Sequence, residues 1–341
     1  LETNSLAHRT TWLRSDLEMK NDRKMFILIE TILAVLALIV ASLMMWDKLR
    51  SDQDKISVIV RNSDDTQWSA FKYGLRMAAE DHGVEMFVVS TSATMTAEEE
   101  EQMIESEIDN GADAVIVQPV PGEESEEMLE KFRNRIPVML VECATAETEF
   151  SGLPVVEPDN HEMGATLAEE LLEDYNGNIK GKTLGILSET TDSPKVLERE
   201  HGFRNIAEAE GAEVVWAVAG NFSGETETPI GMLPQVDLVV ALDDASLTAA
   251  GASVAENDLR GALVYGIGHS TEAVYYLDTG AAECIVVPDE FNIGYQSLTE
   301  TAESLENFFR GMEDRTVSHT VLRKEELFTK ENQEILFTMS Q

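Results

Sequence analysis

The sequence predicts an α/β protein in which two doubly wound parallel-sheet lobes follow one transmembrane helix. One long apolar run, Met25 to Trp46, lies near the start of the chain. After it, short β-branched runs alternate with segments of helical periodicity, which is typical of right-handed βαβ units and a parallel sheet with helices on both faces. The 341 residues leave nearly 300 after the apolar run, which is enough for two lobes of ordinary size.

The apolar run is long enough to be a membrane anchor. Its roughly 22 residues can cross a hydrocarbon core of about 30 Å as one helix, and its one charge, Glu30, lies near the first end. Three basic residues stand directly before it: Lys20, Arg23 and Lys24. Because positive charge stays on the cytoplasmic side, residues 1–24 are expected to be cytoplasmic and the chain from about Asp47 onward extracytoplasmic.

An uncleaved anchor in the cell membrane is favoured over a cleaved signal peptide. A signal peptide has a shorter apolar region and a small-x-small cleavage site, whereas this run ends in Met44, Met45 and Trp46. No Cys follows directly, so no lipid-attachment site is expected. The length and the flanks also disfavour a buried core helix.

The amino-acid composition limits the classes of partner that the chain can have. The chain carries 64 acidic and 25 basic residues, for a formal net charge of -39. This charge repels nucleic acid phosphates, so no nucleic acid partner is expected, and it favours solubility outside the cell or tolerance of salt. The two cysteines, Cys143 and Cys284, have no spacing motif and are expected to be free, mostly buried thiols. A zinc site needs four closely spaced ligands, so no metal is expected.

The first half of the extracytoplasmic part alternates strands and helices. Strands are predicted at Ile56–Val60, Val84–Val89, Ala114–Val117 and Pro137–Val141. Helices are predicted at Gln67–His82, Thr96–Asn110 and Gly122–Arg135. Phe71, Leu75 and Ala78 recur at helical spacing in the first of these helices, and Gly83 ends it.

The second half repeats this pattern. Strands are predicted at Thr183–Leu187, Val214–Val218, Val236–Leu242, Leu263–Ile267 and Cys284–Val287. Helices are predicted at His161–Tyr175, Pro194–Glu210 and Asn292–Arg310, and Thr316–Lys324 is expected to be extended. In such sheets ligands bind beyond the carboxyl ends of the strands, so a cleft between two lobes is the expected site.

Catalytic signatures are incomplete. Gly268–Glu272 lacks the second Gly of a nucleophile elbow, and His161–Gly164 lacks the second His of a zinc-binding HExxH. Gly266 and Gly268 lack the third Gly of a dinucleotide fingerprint. The chain is therefore expected to be no enzyme, with no catalytic residue and no cofactor.

Nine segments from Lys55 onward share an order and spacing with one known family. They are Ile56–Val60, Trp68–Gly74, Gly111–Pro119, Ile136–Glu142, Pro158–Gly164, Glu198–Phe203, Val239–Asp244, Val264–Gly268 and Phe291–Gly294. Together they resemble the type I periplasmic binding proteins, the ribose- and galactose-binding group. Lactose-repressor-like proteins share this fold, but a membrane anchor in place of a DNA-binding headpiece excludes a repressor.

The resemblance implies a three-segment hinge and a domain plan. The hinge is expected near Glu157–His161, Pro288–Asn292 and Thr316–His319. The plan is 1–24 cytoplasmic tail, 25–46 anchor, 47–54 juxtamembrane linker, 55–157 and 292–316 first lobe, 158–287 and 317–325 second lobe, 288–291 hinge crossing, and 326–341 C-terminal tail.

The resemblance also implies a set of ligand-binding residues. They are Asp65, Gln67, Trp68, Glu142, Phe222, Asp243, His269 and Asn292. Trp68 and Phe222 would stack on opposite faces of a sugar ring, and the carboxylates would accept its hydroxyl protons.

The chain departs from the family pattern at several of these positions. The arginine that follows the acidic residue of the fourth strand is Cys143, and a second arginine is Leu197. Gly268 and Pro288 also replace polar residues. Loss of the arginines would favour a neutral polyol or a cationic ligand and disfavour a sulfate or carboxylate.

Some of these residues have a structural alternative. Trp68 could pack a helix against the sheet, and Asp244 could cap a helix. Glu142 could be a solvated strand end, and Phe222 lies beside a shortened segment.

The resulting hypothesis is a membrane-anchored solute-binding protein. It would bind a sugar, a polyol or a cationic metabolite between the lobes and pass occupancy to an ABC permease or a membrane sensor kinase. The alternative is a module that has lost its ligand and binds other proteins.

Overall fold

A computed structural model describes residues 31–40, 53–63, 66–92, 94–142, 152–190, 193–220, 222, 230–307 and 309–339. The chain divides into two compact units, Leu1–Gln53 and Asp54–Gln341. In the first unit, residues 31–40 are helical (α1). Among the described residues, no helix has the length and apolarity that a membrane crossing requires. The predicted anchor, Met25–Trp46, extends outside the described residues on both sides and stays a prediction.

The second unit alternates strands and helices. Its strands are β1 (Lys55–Ile59), β2 (Glu85–Val88), β3 (Ala114–Val117), β4 (Val138–Val141), β5 (Val155–Pro158), β6 (Thr183–Ser188), β7 (Glu213–Ala219), β8 (Leu238–Ala241), β9 (Leu263–Ile267), β10 (Cys284–Pro288), β11 (Arg315–Val317) and β12 (His319–Arg323). Its helices are α2 (Ser69–His82), α3 (Ala97–Asp109), α4 (Glu123–Phe132), α5 (Asn160–Asp174), α6 (Pro194–Ala209), α7 (Asp244–Ala255), α8 (Thr271–Thr279), α9 (Glu290–Glu306) and α10 (Lys330–Met339).

The strands form two six-stranded sheets. Their orders are β11-β5-β4-β3-β1-β2 in lobe 1 and β12-β10-β9-β8-β6-β7 in lobe 2. Neighbouring strands pair in parallel in both sheets, and β12 is the antiparallel exception on the edge of lobe 2. The prediction of two parallel-sheet lobes is therefore confirmed.

Each sheet is buried on both faces. Side chains alternate along β3, with Ile116 in one apolar cluster of lobe 1 and Val115 and Val117 in the other. In β8 of lobe 2, Val240 lies in one apolar cluster and Val239 lies in the other. This arrangement explains why these strands are continuous apolar runs in the sequence, since a doubly covered parallel sheet leaves no face for water.

The chain passes between the lobes three times. It crosses from β5 to α5, from β10 to α9 and from β11 to β12. The first two crossings share a Pro-Asp sequence, in which Asp159 and Asp289 cap the helix that follows by accepting from the third residue beyond. These caps define where each helix starts after its crossing.

Two elements were not apparent in the sequence. Strand β5 has four residues and ends in Pro158, and proline weakens a strand signal because it has no N–H to donate. The predicted C-terminal tail contains α10, in which Ile335 and Leu336 pack against lobe 2 while Phe337 lies edge-on to Tyr73 of lobe 1. This helix therefore contacts both lobes.

Glycines set the closest helix contacts of each lobe. A Cβ at Gly74 of α2 would lie 2.0 Å from the carbonyl oxygen of Phe291 in α9. In lobe 2, a Cβ at Gly164 of α5 would lie 1.9 Å from the carbonyl oxygen of Arg199 in α6. Since backbone cannot yield as a flexible side chain does, these helices depend on glycine at the contact.

We expect Gly74→Ala to lower the melting temperature of the chain by roughly 3–10 °C, because overpacking a tight contact costs about 1–3 kcal/mol. Gly311→Ala is the matched control, since a Cβ there has no neighbour within 4 Å. Differential scanning calorimetry of both variants checks the prediction. Equal melting temperatures for the two variants would contradict it.

Candidate functional site

The candidate site is the cleft between the lobes, at the carboxyl ends of the parallel strands. In lobe 1, Gln118 follows β3 and Glu142 follows β4. In lobe 2, Asp243 follows β8 and His269 lies just beyond β9. An ion pair between Lys195 of lobe 2 and Glu142 of lobe 1 shows that the two sets of side chains meet.

Glu142 is the lobe 1 partner of this ion pair. Its side chain is only 8 % exposed, and its backbone adopts a left-handed conformation with φ of 49°. One carboxylate oxygen accepts from Gln118 Nε2 at 3.4 Å and from Lys195 Nζ at 3.2 Å. Burial would raise the pKa of Glu142, but Lys195, with smaller contributions from His269 and Arg199, holds it below its ordinary value. The carboxylate is therefore ionised.

Glu290 stands beside Glu142. It is the first residue of α9, at the second crossing, and is 5 % exposed. Burial and then the nearby Glu142 carboxylate raise the pKa of Glu290 well above its ordinary value. Two adjacent carboxyl groups cannot both ionise cheaply, so the shared proton is favoured on Glu290.

Two cations on one face of α6 complete the site, and the sequence did not single them out. Lys195 and Arg199 are four residues apart, so both side chains project from the same side of the helix. Arg199 is buried, donating from Nε to Asn160 Oδ1 at 2.9 Å and from Nη1 to the Leu242 carbonyl at 2.9 Å. Burial lowers its pKa from the ordinary arginine value, although Glu142 opposes the shift.

An arginine lies near the cleft, although at neither position that the resemblance assigns, and the effect of the missing arginines on the ligand class stays a prediction. Leu197, which stands where the family has an arginine, is exposed, while Arg199 two residues later is buried near Glu142 and Asp243. The i, i+4 spacing of Lys195 and Arg199 at the start of the helix after β6 is the signal that could have found them.

Asp243 and Asp244 hold the lobe 2 loops. Asp243 caps α7 by accepting from Ser246 N at 2.8 Å, and its other oxygen accepts from Glu189 N at 2.7 Å. Asp244 Oδ1 accepts from the backbone N of His269 at 2.8 Å. The expectation that Asp244 caps the helix is corrected, because the cap is Asp243. Ligand contact by Asp243 stays a prediction.

Two further predicted residues lie close to the crossings or the cleft loops. Burial lowers the pKa of His269, which favours a neutral imidazole. Asn292 donates from its backbone N and from Nδ2 to Asp289, at 3.0 Å and 2.6 Å, so its side chain is engaged in the helix cap.

The predicted aromatic residues pack against the lobe cores. Trp68 is 4 % exposed, lies edge-on to Phe71 and donates from Nε1 to the Arg61 carbonyl at 2.9 Å. These contacts are those of the packing alternative. Gln67, next to it, is exposed. Phe222 is half-buried against the core of lobe 2.

The remaining residues singled out in the sequence are two cysteines and one aspartate. Cys284 is buried and free, as expected. Asp65 and Cys143 lie outside the residues that the structure describes.

The fold is that of a two-lobed α/β domain whose parallel sheets turn polar side chains toward each other at one ion pair. The sequence matches the model of the periplasmic binding protein domain over residues 56–307. The match spans most of the chain, which therefore belongs to the periplasmic binding protein domain family.

Several solved structures share the fold at low sequence identity. A carbohydrate transporter solute-binding protein from Agrobacterium radiobacter, in complex with D-arabinose, is 17% identical, with 84% of this chain and 99% of that chain covered and a TM-score of 0.69. A glucose-galactose binding protein from Geobacillus stearothermophilus is 18% identical, with coverages of 82% and 100% and a TM-score of 0.68. A solute-binding protein from Agrobacterium vitis bound with alpha-D-tagatopyranose is 15% identical, with coverages of 83% and 99% and a TM-score of 0.71. No curated protein matches the sequence.

A buried carboxyl group supports the lobe 1 loop that follows Gln118. Glu100 of α3 accepts from Val120 N at 3.2 Å and from Ser125 Oγ at 2.5 Å. Burial raises the pKa of Glu100 to about 7, against the opposing effects of Ser125, Val120 and Arg61. Its ionisation therefore destabilises the folded chain.

We expect the free energy of unfolding to fall as the pH rises through 7. Because the pKa of Glu100 is higher in the folded chain than in the unfolded chain, its contribution to stability is fully present below the unfolded pKa of 4.5. This contribution is lost as the pH rises through the folded pKa of about 7. Between pH 6 and pH 8 the loss is about 1 kcal/mol. Glu100→Gln should remove this loss in denaturant titrations at the two pH values, while Glu101→Gln, an exposed control, should retain it. An unchanged loss in Glu100→Gln would refute the assignment.

Proposed function

We propose that the chain is a membrane-anchored, extracytoplasmic solute-binding protein that takes a small sugar-like ligand in the cleft. The observation that carries the proposal is the meeting of polar side chains from both lobes at Glu142, in a chain of the periplasmic binding protein domain family. Such a cleft offers donors and acceptors on both sides of a guest, which is how a small ligand is held and oriented.

The chemistry of the cleft favours a neutral polyhydroxyl ligand. The ionised Glu142 accepts hydroxyl protons, and Lys195 can donate to a hydroxyl oxygen. D-arabinose and alpha-D-tagatopyranose are bound to two of the similar structures, which supports this class. A cationic ligand is disfavoured because Lys195 and Arg199 already carry positive charge beside Glu142.

Occupancy would be passed on through closure of the lobes. The three crossings allow a hinge movement that presents a different outer surface in the closed form. The proposed partner is an ABC permease or a membrane sensor kinase, and the anchor, Met25–Trp46, would keep the cleft beside either one.

We expect a ligand of this class to raise the melting temperature by several degrees. At 100 times the dissociation constant, binding adds about 2.7 kcal/mol to the stability of the folded form. The measurement is a thermal-shift screen of the separate unit, residues 54–341, with pentoses, hexoses, polyols and spermidine.

Glu142→Gln should weaken the response by about tenfold or more in affinity, because a hydrogen bond to a charged group is lost. Lys182→Met, which alters a surface pair with Asp237 on lobe 2, should respond like the unmodified chain. An unchanged melting temperature with every compound would count against the proposal. A rise with spermidine alone would show that the ligand is cationic and not a neutral polyhydroxyl compound.

A second candidate function is a ligand-free interaction module. The observation that favours it is the engagement of Trp68, Asp243 and Asn292 in packing and helix caps within the protein. This module would show no melting response and no compaction in solution scattering with any metabolite. Compaction on adding a sugar would eliminate it.

We expect the full chain to stay with the membrane after an alkaline carbonate wash, because a spanning helix is held by its buried apolar surface. A variant that lacks residues 1–46 should be released into the soluble fraction. Immunoblotting of both fractions is the measurement. Release of the full chain by the wash would contradict the anchor.

A further inference from the structure

One ion pair joins the two lobes across the cleft. Lys195 lies in the first turn of α6 in lobe 2, and Glu142 follows β4 in lobe 1. Their side chains are 3.2 Å apart. Among the residues that the structure describes, the other ion pairs, such as Arg204 with Glu200, lie within one lobe. The Lys195–Glu142 contact is therefore broken by any opening of the lobes.

The two partners differ in how freely they can move. Glu142 is 8 % exposed and is also held by Gln118, whereas the Lys195 side chain is 32 % exposed. A buried carboxylate that loses its cation is destabilised, because its charge is left without compensation. The lysine, in contrast, can turn to solvent on its flexible stem. The ion pair is therefore stable while the lobes are closed, and the Lys195 side chain is the partner that can move away.

Other contacts position the Lys195 side chain. Arg199, one turn after Lys195, is fixed to Asn160 at the first crossing and to the Leu242 carbonyl. These bonds hold the start of α6 against the crossing, so the lysine stem points toward lobe 1. From the second crossing, the Glu290 carboxyl group lies beside Glu142. Two crossings therefore orient the two ends of the pair.

We infer that Lys195 and Glu142 form a latch that closes the two lobes in the absence of ligand, and that a ligand enters by displacing the Lys195 ammonium from Glu142. The ion pair stabilises the closed form directly across the cleft, and the partly exposed lysine is the part that leaves. The displacement step rests on the proposed function, while the closure does not.

The latch also regulates affinity. A ligand that must displace Lys195 binds an open form whose population the latch reduces, so the apparent dissociation constant rises by the same factor. A hydroxyl group can replace the ammonium as the donor to Glu142, which leaves Lys195 free to bond to the ligand or to solvent.

The test measures the distance between the lobes without any ligand. Spin labels are attached to the full chain at Glu127→Cys of α4 and Glu210→Cys after α6, both exposed positions, in a Cys143→Ser background. Cys284 is buried and is left unchanged. Double electron–electron resonance then gives the distribution of distances between the two lobes.

We expect one short, narrow distance in the labelled parent chain and a longer, broader distribution in Lys195→Met. Glu142→Gln should give the same opening, and the two changes together should open the lobes no further, because they remove one interaction. Lys182→Met, a lobe 2 surface variant, is the matched control and should keep the short distance. Thermal melts identify any variant that fails to fold.

Chemical rescue separates the charge from a general packing effect. n-Butylammonium should restore the short distance in Lys195→Ala, because it can occupy Glu142 in place of the missing side chain, and should have no effect in Glu142→Gln. An unchanged distance in both Lys195→Met and Glu142→Gln would overturn the latch, as would opening that butylammonium does not reverse. Failure to find any ligand would count against the proposed function and leave these distances unaffected.

Discussion

The ionised carboxylate of Glu142 is the constraint on which the cleft depends. A buried charge is tolerated only where donors and opposite charge compensate it. Here Gln118 comes from lobe 1, Lys195 from lobe 2 and Glu290 from the second crossing. One carboxylate therefore couples the two lobes and a crossing, and any guest that bonds to it alters the balance among all three. The candidate site and the second crossing therefore share residues.

The two lobes are built from the same kinds of contact. Each lobe closes a parallel sheet with a pair of helices whose approach depends on glycine, as at Gly74 and Gly164. Two crossings begin a helix with a proline followed by a capping aspartate, Asp159 or Asp289. Rigid bodies on both sides of short capped joints favour movement of whole lobes over distortion within them. Helix α10, which touches both lobes, would move with that change.

Much of the fold could be predicted from the sequence, because alternation of buried strands and amphipathic helices is a local signal that recurs along the chain. The two parallel-sheet lobes followed from it. Strand β5 did not, since it is short and ends in Pro158. The site was harder to predict. Arg199 belongs to it through contacts with Asn160 and Leu242, which are about 40 residues distant in sequence, and the burial of Trp68 depends on the packing of α2 against its sheet. Such contacts leave no local pattern.

The most direct test of this account is the titration of Glu142 and Glu290 by 13C NMR of their side-chain carboxyl groups, assigned with Glu142→Gln and Glu290→Gln. Glu142 is expected to stay ionised below the ordinary pKa of glutamate, because Lys195 compensates its charge, and Glu290 is expected to keep its proton well above that value. Glu142 titrating above the ordinary range, or both groups ionising together as solvated glutamates do, would contradict the central role of the shared carboxylate.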